Sequence, residues 1–225
     1  MLAVGALAAA PAAAVPIHHE TFGRSVQHRS LRLTRIGDPA ARHVVLVVGC
    51  IHGSERAGMA VTRALRHATP PPHTQLLVVD TANPDGSRRS RRGNAHGVDL
   101  NRNFPWGWRP LHGVYFSGRR ASSEPETRAL ERLVLRERPD VSIWFHQHLN
   151  WVDLQRGSSL RLMRRYARVA GMRAVKTPVL PGTAARWENH RLPRASAFVV
   201  ELPAGRLSHA SVAVHVRAVL AVARP

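Results

Sequence analysis

Hydrophobic positions along the chain fall into short runs that alternate with segments of helical periodicity. Residues 44–48 are aliphatic and β-branched throughout, which is typical of a strand buried on both faces. The run ends at Gly49, and beyond a short loop Met59, Val61 and Leu65 recur at a spacing that predicts an amphipathic helix. A buried strand followed by a helix is the repeating unit of α/β folds.

The same alternation continues along most of the chain. Periodicity predicts further strands at residues 31–36, 75–80, 141–145, 172–179 and 196–202, and helices after a capping-box sequence at residues 123–126, at 158–170 and at 208–223. Residues 81–115 and 181–193 follow neither period and are predicted loops. The expected fold class is α/β: a single domain with a mostly parallel (mixed) central sheet and helices on both faces.

The beginning of the chain predicts export. Residues 1–14 are small and apolar and resemble the hydrophobic region and cleavage site of a secretory signal peptide, although a basic n-region is absent. The segment is too short to span a membrane, and an Ala-rich tail is the alternative interpretation. We therefore expect a secreted or cell-envelope-associated protein whose folded domain comprises residues 15–225.

The charge balance is strongly basic. The 225 residues carry a formal net charge of +19, and Lys176 is the only lysine among the cationic side chains. Such an excess predicts electrostatic association with an anionic cell envelope or with nucleic acid. No sequence motif for reading nucleic acid accompanies the charge, so specific nucleic-acid binding is not expected. Cys50 is the only cysteine, which excludes an internal disulfide.

Residues with catalytic chemistry follow three of the predicted strands. His52 and Glu55 come directly after residues 44–48, whereas His146 and Glu201 lie at the ends of two later strands. The carboxyl ends of parallel strands share one edge of a sheet, so these side chains should converge. Imidazole nitrogen and carboxylate oxygen are zinc ligands, and a carboxylate that does not bind the metal can take a proton from water.

Six motifs, taken together, resemble a known family. They are His52-Gly53-Ser54-Glu55, Asn83-Pro84-Asp85-Gly86, Gly97-Val98-Asp99-Leu100-Asn101-Arg102-Asn103-Phe104, Ser123-Glu124-Pro125-Glu126-Thr127, the strand-end His146, and Val200-Glu201-Leu202. In this order they resemble the M14 family of zinc carboxypeptidases, and within it the short bacterial murein peptide amidases. The resemblance implies a zinc carboxypeptidase-like catalytic domain and a hydrolase of peptide amide bonds.

The resemblance also implies roles for individual residues. His52, Glu55 and His146 would hold one zinc ion per chain, and Glu201 would act as general base and then as proton donor. The adjacent His148 is two residues from His146 in the same predicted strand. His146 is the favoured ligand because it follows the apolar run directly, as the family's ligand does, and His148 is then a pocket residue.

Substrate binding is assigned on the same basis. Asn101 and Arg102 would bind a free carboxylate of the substrate, and Arg92 would polarise the scissile carbonyl, with Arg91 as the alternative.

Many family members carry a tyrosine in a mobile loop shortly before the general base. The tyrosines of this chain, Tyr115 and Tyr166, both come too early in the sequence for that position. Trp187 occupies that predicted loop instead, and either a lid role or simple packing is open to it.

The expected substrate is a peptide with a free carboxylate, and the murein resemblance specifies the amide bond between γ-D-glutamate and diaminopimelate. Two alternatives differ in class. One is a small-molecule N-acyl amino acid deacylase of the aspartoacylase and succinylglutamate desuccinylase type, which has the same zinc ligands. The other is a non-enzymatic wall-binding relative, against which the complete set of catalytic positions argues.

Overall fold

The computed structural model describes residues 15–154 and 157–224, so the predicted signal peptide lies outside the described residues. Within these ranges the strands are β1 (Ile17–Arg24), β2 (Ser30–Ile36), β3 (His43–Val48), β4 (Thr74–Val79), β5 (Val141–Asp153), β6 (Arg173–Val175) and β7 (Ser196–Pro203). The α-helices are α1 (Gly58–Leu65), α2 (Pro84–Arg89), α3 (Pro125–Glu137), α4 (Leu160–Ala170), α5 (Ala184–Arg191) and α6 (His209–Val222). Short 3₁₀ turns occur at Leu100–Arg102 and Gly113–Tyr115. None of the described helices is long and apolar enough to cross a bilayer.

The strands form one mixed sheet. Antiparallel pairing joins β1 to β2 and β2 to β4, whereas β4, β3, β5 and β7 pair in parallel in that order. The short β6 pairs in parallel with the last residues of β5. The predicted α/β class with a mostly parallel (mixed) sheet is therefore confirmed.

Helices cover both faces of the sheet, which explains the unbroken apolar run of β3. Val45 and Val47 face one core, which contains residues of α1, α4 and α6. Leu46 and Val48 face the other core, which contains residues of α3 and α5. All four side chains are essentially inaccessible to solvent, and full burial of such a side chain contributes roughly 1.5–3 kcal/mol.

The strand that carries His146 is longer than predicted. The sequence indicated an end at residue 145, but β5 continues to Asp153. Val141 to His148 pair with Ser196 to Pro203 in ascending order, and then Trp151, Val152 and Asp153 face Glu201, Val200 and Val199 in descending order. The later residues of β5 thus lie beside the strand that carries Glu201, and they form part of the same pocket.

Two predicted loops contain helices. Residues 84–89 form α2 inside the predicted loop 81–115, because Asn83 caps the helix and Pro84 occupies its first position. Residues 184–191 form α5 inside the predicted loop 181–193. The sequence of α5 is polar and lacks the apolar periodicity that predicts a helix. Its residues Glu188 and Asn189 are nevertheless buried, because they form hydrogen bonds with neighbouring strands.

Three smaller differences from the sequence predictions also appear. Residues 17–24 form the edge strand β1, for which the polar sequence gave no prediction, and β6 spans three residues instead of the predicted 172–179. The helix after residues 123–126 exists, but its N-cap residue is Glu124 rather than Ser123, and no side chain caps it. Glu126 instead accepts a hydrogen bond from the backbone of Val26, so tertiary contacts replace the predicted capping box.

Candidate active site

The loop after β3 places His52 and Glu55 at the carboxyl edge of the sheet. Between them, Gly53 packs directly against α2: a Cβ atom at residue 53 would lie 2.0 Å from the carbonyl carbon of Gly86 and 2.5 Å from the carbonyl oxygen of Arg91. Any side chain at this position would displace the loop. Gly53 is therefore required for close packing rather than for flexibility.

The Asn-Pro-Asp-Gly motif fixes the helix against which this loop packs. Asn83 Oδ1 accepts a hydrogen bond from the backbone nitrogen of Gly86 at 2.9 Å. The buried Asp85 carboxylate accepts hydrogen bonds from Ser25 at 2.9 Å and from Arg29 at 2.6 Å. The motif thus supports the position of His52 and Glu55 and contributes no group to the pocket beside them.

Three side chains converge in one cluster. His52 and Glu55 come from the loop after β3, and His146 comes from β5 at the position paired with Glu201 of β7. Nδ1 of His52 and Nδ1 of His146 lie 3.1 Å apart, and each lies 2.9 Å from a carboxylate oxygen of Glu55. Across the described ranges this is the group of His, Cys, Asp and Glu side chains with the geometry of a metal site.

The cluster fits a zinc ion in both ligand type and spacing. Nitrogen and oxygen ligands of this kind bind zinc at about 2.0–2.1 Å in tetrahedral sites, where neighbouring ligand atoms lie about 3.3 Å apart. The separations of 2.9 and 3.1 Å are close to that value. The three ligand atoms can therefore surround one ion.

Asp99 orients His52, a contact that the sequence analysis did not assign. The Nε2 atom of His52 donates a hydrogen bond to Asp99 Oδ1 at 2.8 Å, since a carboxylate can only accept. The proton therefore resides on Nε2, and the Nδ1 lone pair faces the cluster. Asp99 is fully buried, and although burial favours its neutral form, His52 and the nearby arginines hold its pKa well below the ordinary value. Asp99 belongs to the same sequence motif as Asn101, and this was the feature from which a role at the site could have been predicted.

Glu201 stands beside the cluster without joining it. Its Oε2 atom is buried and has no hydrogen-bond partner. Burial raises the pKa of Glu201, the charge of His146 opposes that rise, and the charge of Glu55 adds to it. A carboxylate oxygen kept free in this position is available to exchange a proton with a water molecule at the cluster.

Arg92 lies in the pocket, whereas Arg91 does not line it. One Arg92 nitrogen donates to Glu55 at 2.9 Å, and another donates to Asp99 at 2.9 Å. These two carboxylates fix the guanidinium beside the metal-ligand cluster. The geometry therefore favours Arg92 over Arg91 as the arginine that faces a substrate.

Asn101 and Arg102 are both buried and both line the pocket. The Asn101 side chain accepts a hydrogen bond from the backbone nitrogen of Ala184 at 2.9 Å, and its amide nitrogen lies 3.3 Å from His146 Nε2. Arg102 donates to the carbonyl oxygen of Asn101 at 2.7 Å. Burial lowers the pKa of Arg102, and the Asp99 charge opposes that effect. The guanidinium is thus held in place within the pocket wall.

Tyr115 is a pocket residue that the sequence analysis dismissed. Its ring centroid lies 5.3 Å from the guanidinium carbon of Arg92 and 5.4 Å from that of Arg102. Both distances are within cation–π range. The long loop from residue 81 to 115 brings this ring back to the cleft, so its distance in sequence from Glu201 was misleading.

The structure separates the two remaining predicted site residues. His148 is exposed and lines the pocket, but it is not part of the metal-ligand cluster. Trp187 lies on α5, is 3% exposed, and packs with its ring centroid 5.4 Å from that of Phe104. It does not line the pocket, and its side chain belongs to the core, which favours the packing alternative over a lid role.

The pocket has a volume of about 340 Å³ and carries further charged side chains. Asp153 and Lys176 line it together with the metal-ligand cluster. Asp153 faces Val199, which precedes Glu201 by two residues on β7, and both Asp153 and Val199 are buried. Asp153 therefore lies beside β7 in the same pocket as Glu201, on a part of β5 beyond the strand end that the sequence predicts.

Fold and site together define an α/β protein with a metal-type His-Glu-His cluster at the carboxyl edge of its sheet. The model of the zinc carboxypeptidase family, peptidase M14, matches residues 12–159, so the chain belongs to this family of hydrolases.

Individual relatives agree with this assignment. Murein peptide amidase A of Escherichia coli K12 is 34% identical over 162 residues, which cover 65% of this chain and 66% of that relative, slightly under two thirds. The crystal structure of murein-tripeptide amidase from E. coli O157 has a TM-score of 0.73 and 27% identity, covering 93% of this chain and 92% of the other. Carboxypeptidase A from Helicoverpa armigera, at a TM-score of 0.75, 19% identity and coverage of 92% and 68%, shares the fold.

Proposed function

We propose that this protein is a zinc-dependent exopeptidase or amidase that hydrolyses a peptide amide bond next to a free carboxylate, with murein peptides as substrates. One observation carries the proposal. A cluster suited to one zinc ion, a carboxylate oxygen of Glu201 without a partner, and the buried guanidinium of Arg102 all line the same pocket. These are the parts that such a reaction requires.

His52, Glu55 and His146 would hold the zinc ion through Nδ1, a carboxylate oxygen and Nδ1. When bound, zinc supplies Lewis-acid activation of water and of the substrate carbonyl. Asp99 keeps the proton of His52 on Nε2, so that Nδ1 is free as a ligand. The hydrogen bond from His52 to Asp99 thus orients this ligand before the metal binds.

Glu201 acts as the general base and then as the general acid of the reaction. Its free Oε2 atom accepts a proton from the attacking water, and the same carboxyl group then donates that proton to the leaving amine. The raised pKa of Glu201 suits both steps. A higher pKa makes the carboxylate a stronger base towards the water, and it brings the pKa nearer the working pH, where the same group can take up and release a proton.

Arg92 stabilises the oxyanion that forms on the substrate carbonyl. Its guanidinium is already fixed by Glu55 and Asp99, so little reorganisation is needed during the reaction. One preorganised donor of this type is typically worth about 3 kcal/mol of barrier lowering.

Arg102 binds the substrate carboxylate and so determines which amide bond reaches the metal. A planar guanidinium pairs with a carboxylate through two parallel hydrogen bonds, which orients the substrate as well as holding it. Asn101 lies beside it in the pocket wall, and Tyr115 packs over both Arg92 and Arg102. The substrate carboxylate therefore enters a site whose cations are held against an aromatic surface.

Two further charged residues of the pocket support murein as the substrate class. The distal end of a diaminopimelate side chain carries both an amine and a carboxylate. Asp153 and Lys176 offer charges of both signs in the same pocket. Together with the similarity to murein peptide amidase A, this supports cleavage of the bond between γ-D-glutamate and diaminopimelate.

Location in the cell envelope is part of the same proposal. The apolar residues 1–14 support export, and a net charge of +19 favours attraction to an anionic envelope, where murein peptides occur.

The direct test is Glu201→Gln on zinc-loaded protein. Glutamine keeps the shape of the side chain but accepts no proton at neutral pH, so kcat should fall roughly 10²- to 10⁴-fold. Zinc content and melting temperature should stay unchanged. The substrates are murein tripeptides that contain diaminopimelate or lysine, with N-acyl amino acids alongside. A kcat close to that of the unmodified protein would remove Glu201 from the mechanism, and preferential hydrolysis of N-acyl amino acids would establish the deacylase alternative.

A further inference from the structure

A second cavity lies at the edge of the sheet opposite the active site. Its volume is about 510 Å³, and its lining includes His43, Val141 and Ser196, which are the first residues of β3, β5 and β7. The active-site groups follow the last residues of these parallel strands. Strands of six residues span about 20 Å, so the two pockets lie on opposite edges of the sheet.

Four arginines from three parts of the chain line this cavity. Arg161 and Arg165 are four residues apart on α4 and therefore share one face of that helix. Arg194 comes from the connection between α5 and β7, and Arg224 follows α6. These arginines do not form a run of neighbouring charges on one exposed helix. The tertiary fold brings them together around one cavity from separate parts of the chain.

The positive charges of this cavity are not neutralised by an available carboxylate among its lining residues. Asp140 is the carboxylate among its lining residues, and it already accepts a hydrogen bond from the backbone nitrogen of Val44 at 2.8 Å and lies 3.3 Å from His43 Nδ1. Among the described residues, none of the four guanidinium groups has a hydrogen-bond or ion-pair partner. His43 adds a buried ring nitrogen, Nε2, that has no partner.

We infer that this cavity binds a ligand carrying two linked phosphate groups. Two phosphate groups carry about three to four negative charges, which suits four arginines against one engaged carboxylate, whereas a single carboxylate ligand would leave most of the charge uncompensated. Guanidinium groups bind phosphate oxygens in pairs, and the cavity volume is within the range of small-ligand pockets. The N-terminus of α4, capped by Ser159, also lies at the cavity and favours an anion.

The test compares two double variants of the full chain, of which only one removes arginines that line the cavity. Arg161→Ala with Arg165→Ala removes two arginines of the cavity. Arg164→Ala with Arg168→Ala removes two exposed arginines that do not line it, at the same spacing and with the same change in net charge. Calorimetric titration with inorganic pyrophosphate should show affinity at least about tenfold weaker for the first variant, and unchanged for the second.

Further arms identify the source of the phosphates and separate this site from the active site. Vesicles of phosphatidylcholine with cardiolipin present two phosphates on a lipid headgroup, and binding lost only in the cavity variant would assign a lipid source. Peptide hydrolysis should be equal in both variants. Equal losses of pyrophosphate affinity in the two variants would reduce the effect to general electrostatic attraction, and no binding of either probe to the unmodified chain would overturn the inference.

Discussion

The two edges of the sheet differ in how far their charged side chains are paired. At the carboxyl edge carboxylates hold the groups around the metal-ligand cluster: Asp99 holds His52, and Glu55 and Asp99 hold Arg92. At the amino edge four arginines line a cavity whose single carboxylate is already engaged. The carboxyl edge is a network that fixes atoms to within hydrogen-bond tolerance, whereas the amino edge supplies uncompensated positive charge.

This difference separates two demands on a binding site. Chemistry at a scissile bond needs preorganised groups, since misplaced donors lose most of their effect on the transition state. Retention of an anion needs mainly charge and room. If the comparison is correct, substitutions at one edge should leave the other edge unaffected.

The largest expected effect comes from the metal ligands. His146→Ala should abolish zinc binding and with it hydrolysis, because the variant leaves only two ligands for the ion. His148→Ala is the matched control, and it should retain one zinc per chain. Metal analysis of purified protein measures both. Loss of zinc from the His148 variant, with retention in the His146 variant, would reverse the assignment.

Arg102→Ala comes next. It should lower kcat/KM roughly 10- to 150-fold for peptides with the free carboxylate, because a charge-assisted pair is worth about 1.5–3 kcal/mol. The same peptides with that carboxylate amidated should lose far less. Arg91→Ala, outside this pocket, serves as the control and should change neither value. Equal losses of Arg102→Ala on both substrates would show that Arg102 does not recognise the carboxylate.

Asp99→Asn should have an intermediate effect on zinc affinity. An asparagine nitrogen or oxygen replaces the carboxylate that holds the His52 proton on Nε2, and such supporting contacts typically change metal affinity about 10- to 100-fold. Competition with a chelator measures the change. Asp140→Asn at the amino edge should leave zinc affinity unaltered. An unchanged affinity in Asp99→Asn would mean that the metal ligands need no such support.

The smallest effect on either site is expected from Glu188, which lies on α5 and is buried against the first residues of β5. It accepts hydrogen bonds from Ser142 and, at 3.1 Å, from Trp144, and burial raises its pKa from 4.5 to about 7. Between these pH values the folded protein holds a proton that the unfolded chain has lost. The free energy of unfolding should therefore fall as pH rises from 4.5 to 7, by about 3 kcal/mol at 1.4 kcal/mol per pKa unit, and then level off.

Glu188→Gln removes this titration, because glutamine carries no charge, while its oxygen can accept from Trp144 and its amide nitrogen can donate to the Ser142 hydroxyl. Urea unfolding at several pH values should give a profile for the variant that lacks the decline between pH 4.5 and 7. Zinc affinity and pyrophosphate affinity should not change. Parallel pH profiles for the two proteins would exclude Glu188 as the source of the decline.

Much of the fold followed from local periodicity. The runs that became β3, β4 and β7 are apolar on both faces, and the helices α1, α4 and α6 have apolar faces that pack on the sheet. Elements whose burial depends on polar contacts escaped prediction. α5 is the clearest case, since Glu188 and Asn189 are buried through hydrogen bonds to β5 and β7, which no window of sequence contains.

The sequence by itself determined the order of the apolar strands and amphipathic helices and the residues able to hold a metal, because side-chain chemistry and short-range periodicity are properties of the chain alone. Only the tertiary structure decided which of these residues meet. It brought Asp99 to His52, returned Tyr115 to two arginines, buried Trp187 beside Phe104, and gathered four arginines at the amino edge. The physical reason is that these contacts join residues from separate elements, and their distances depend on sheet pairing and helix packing rather than on separation along the chain.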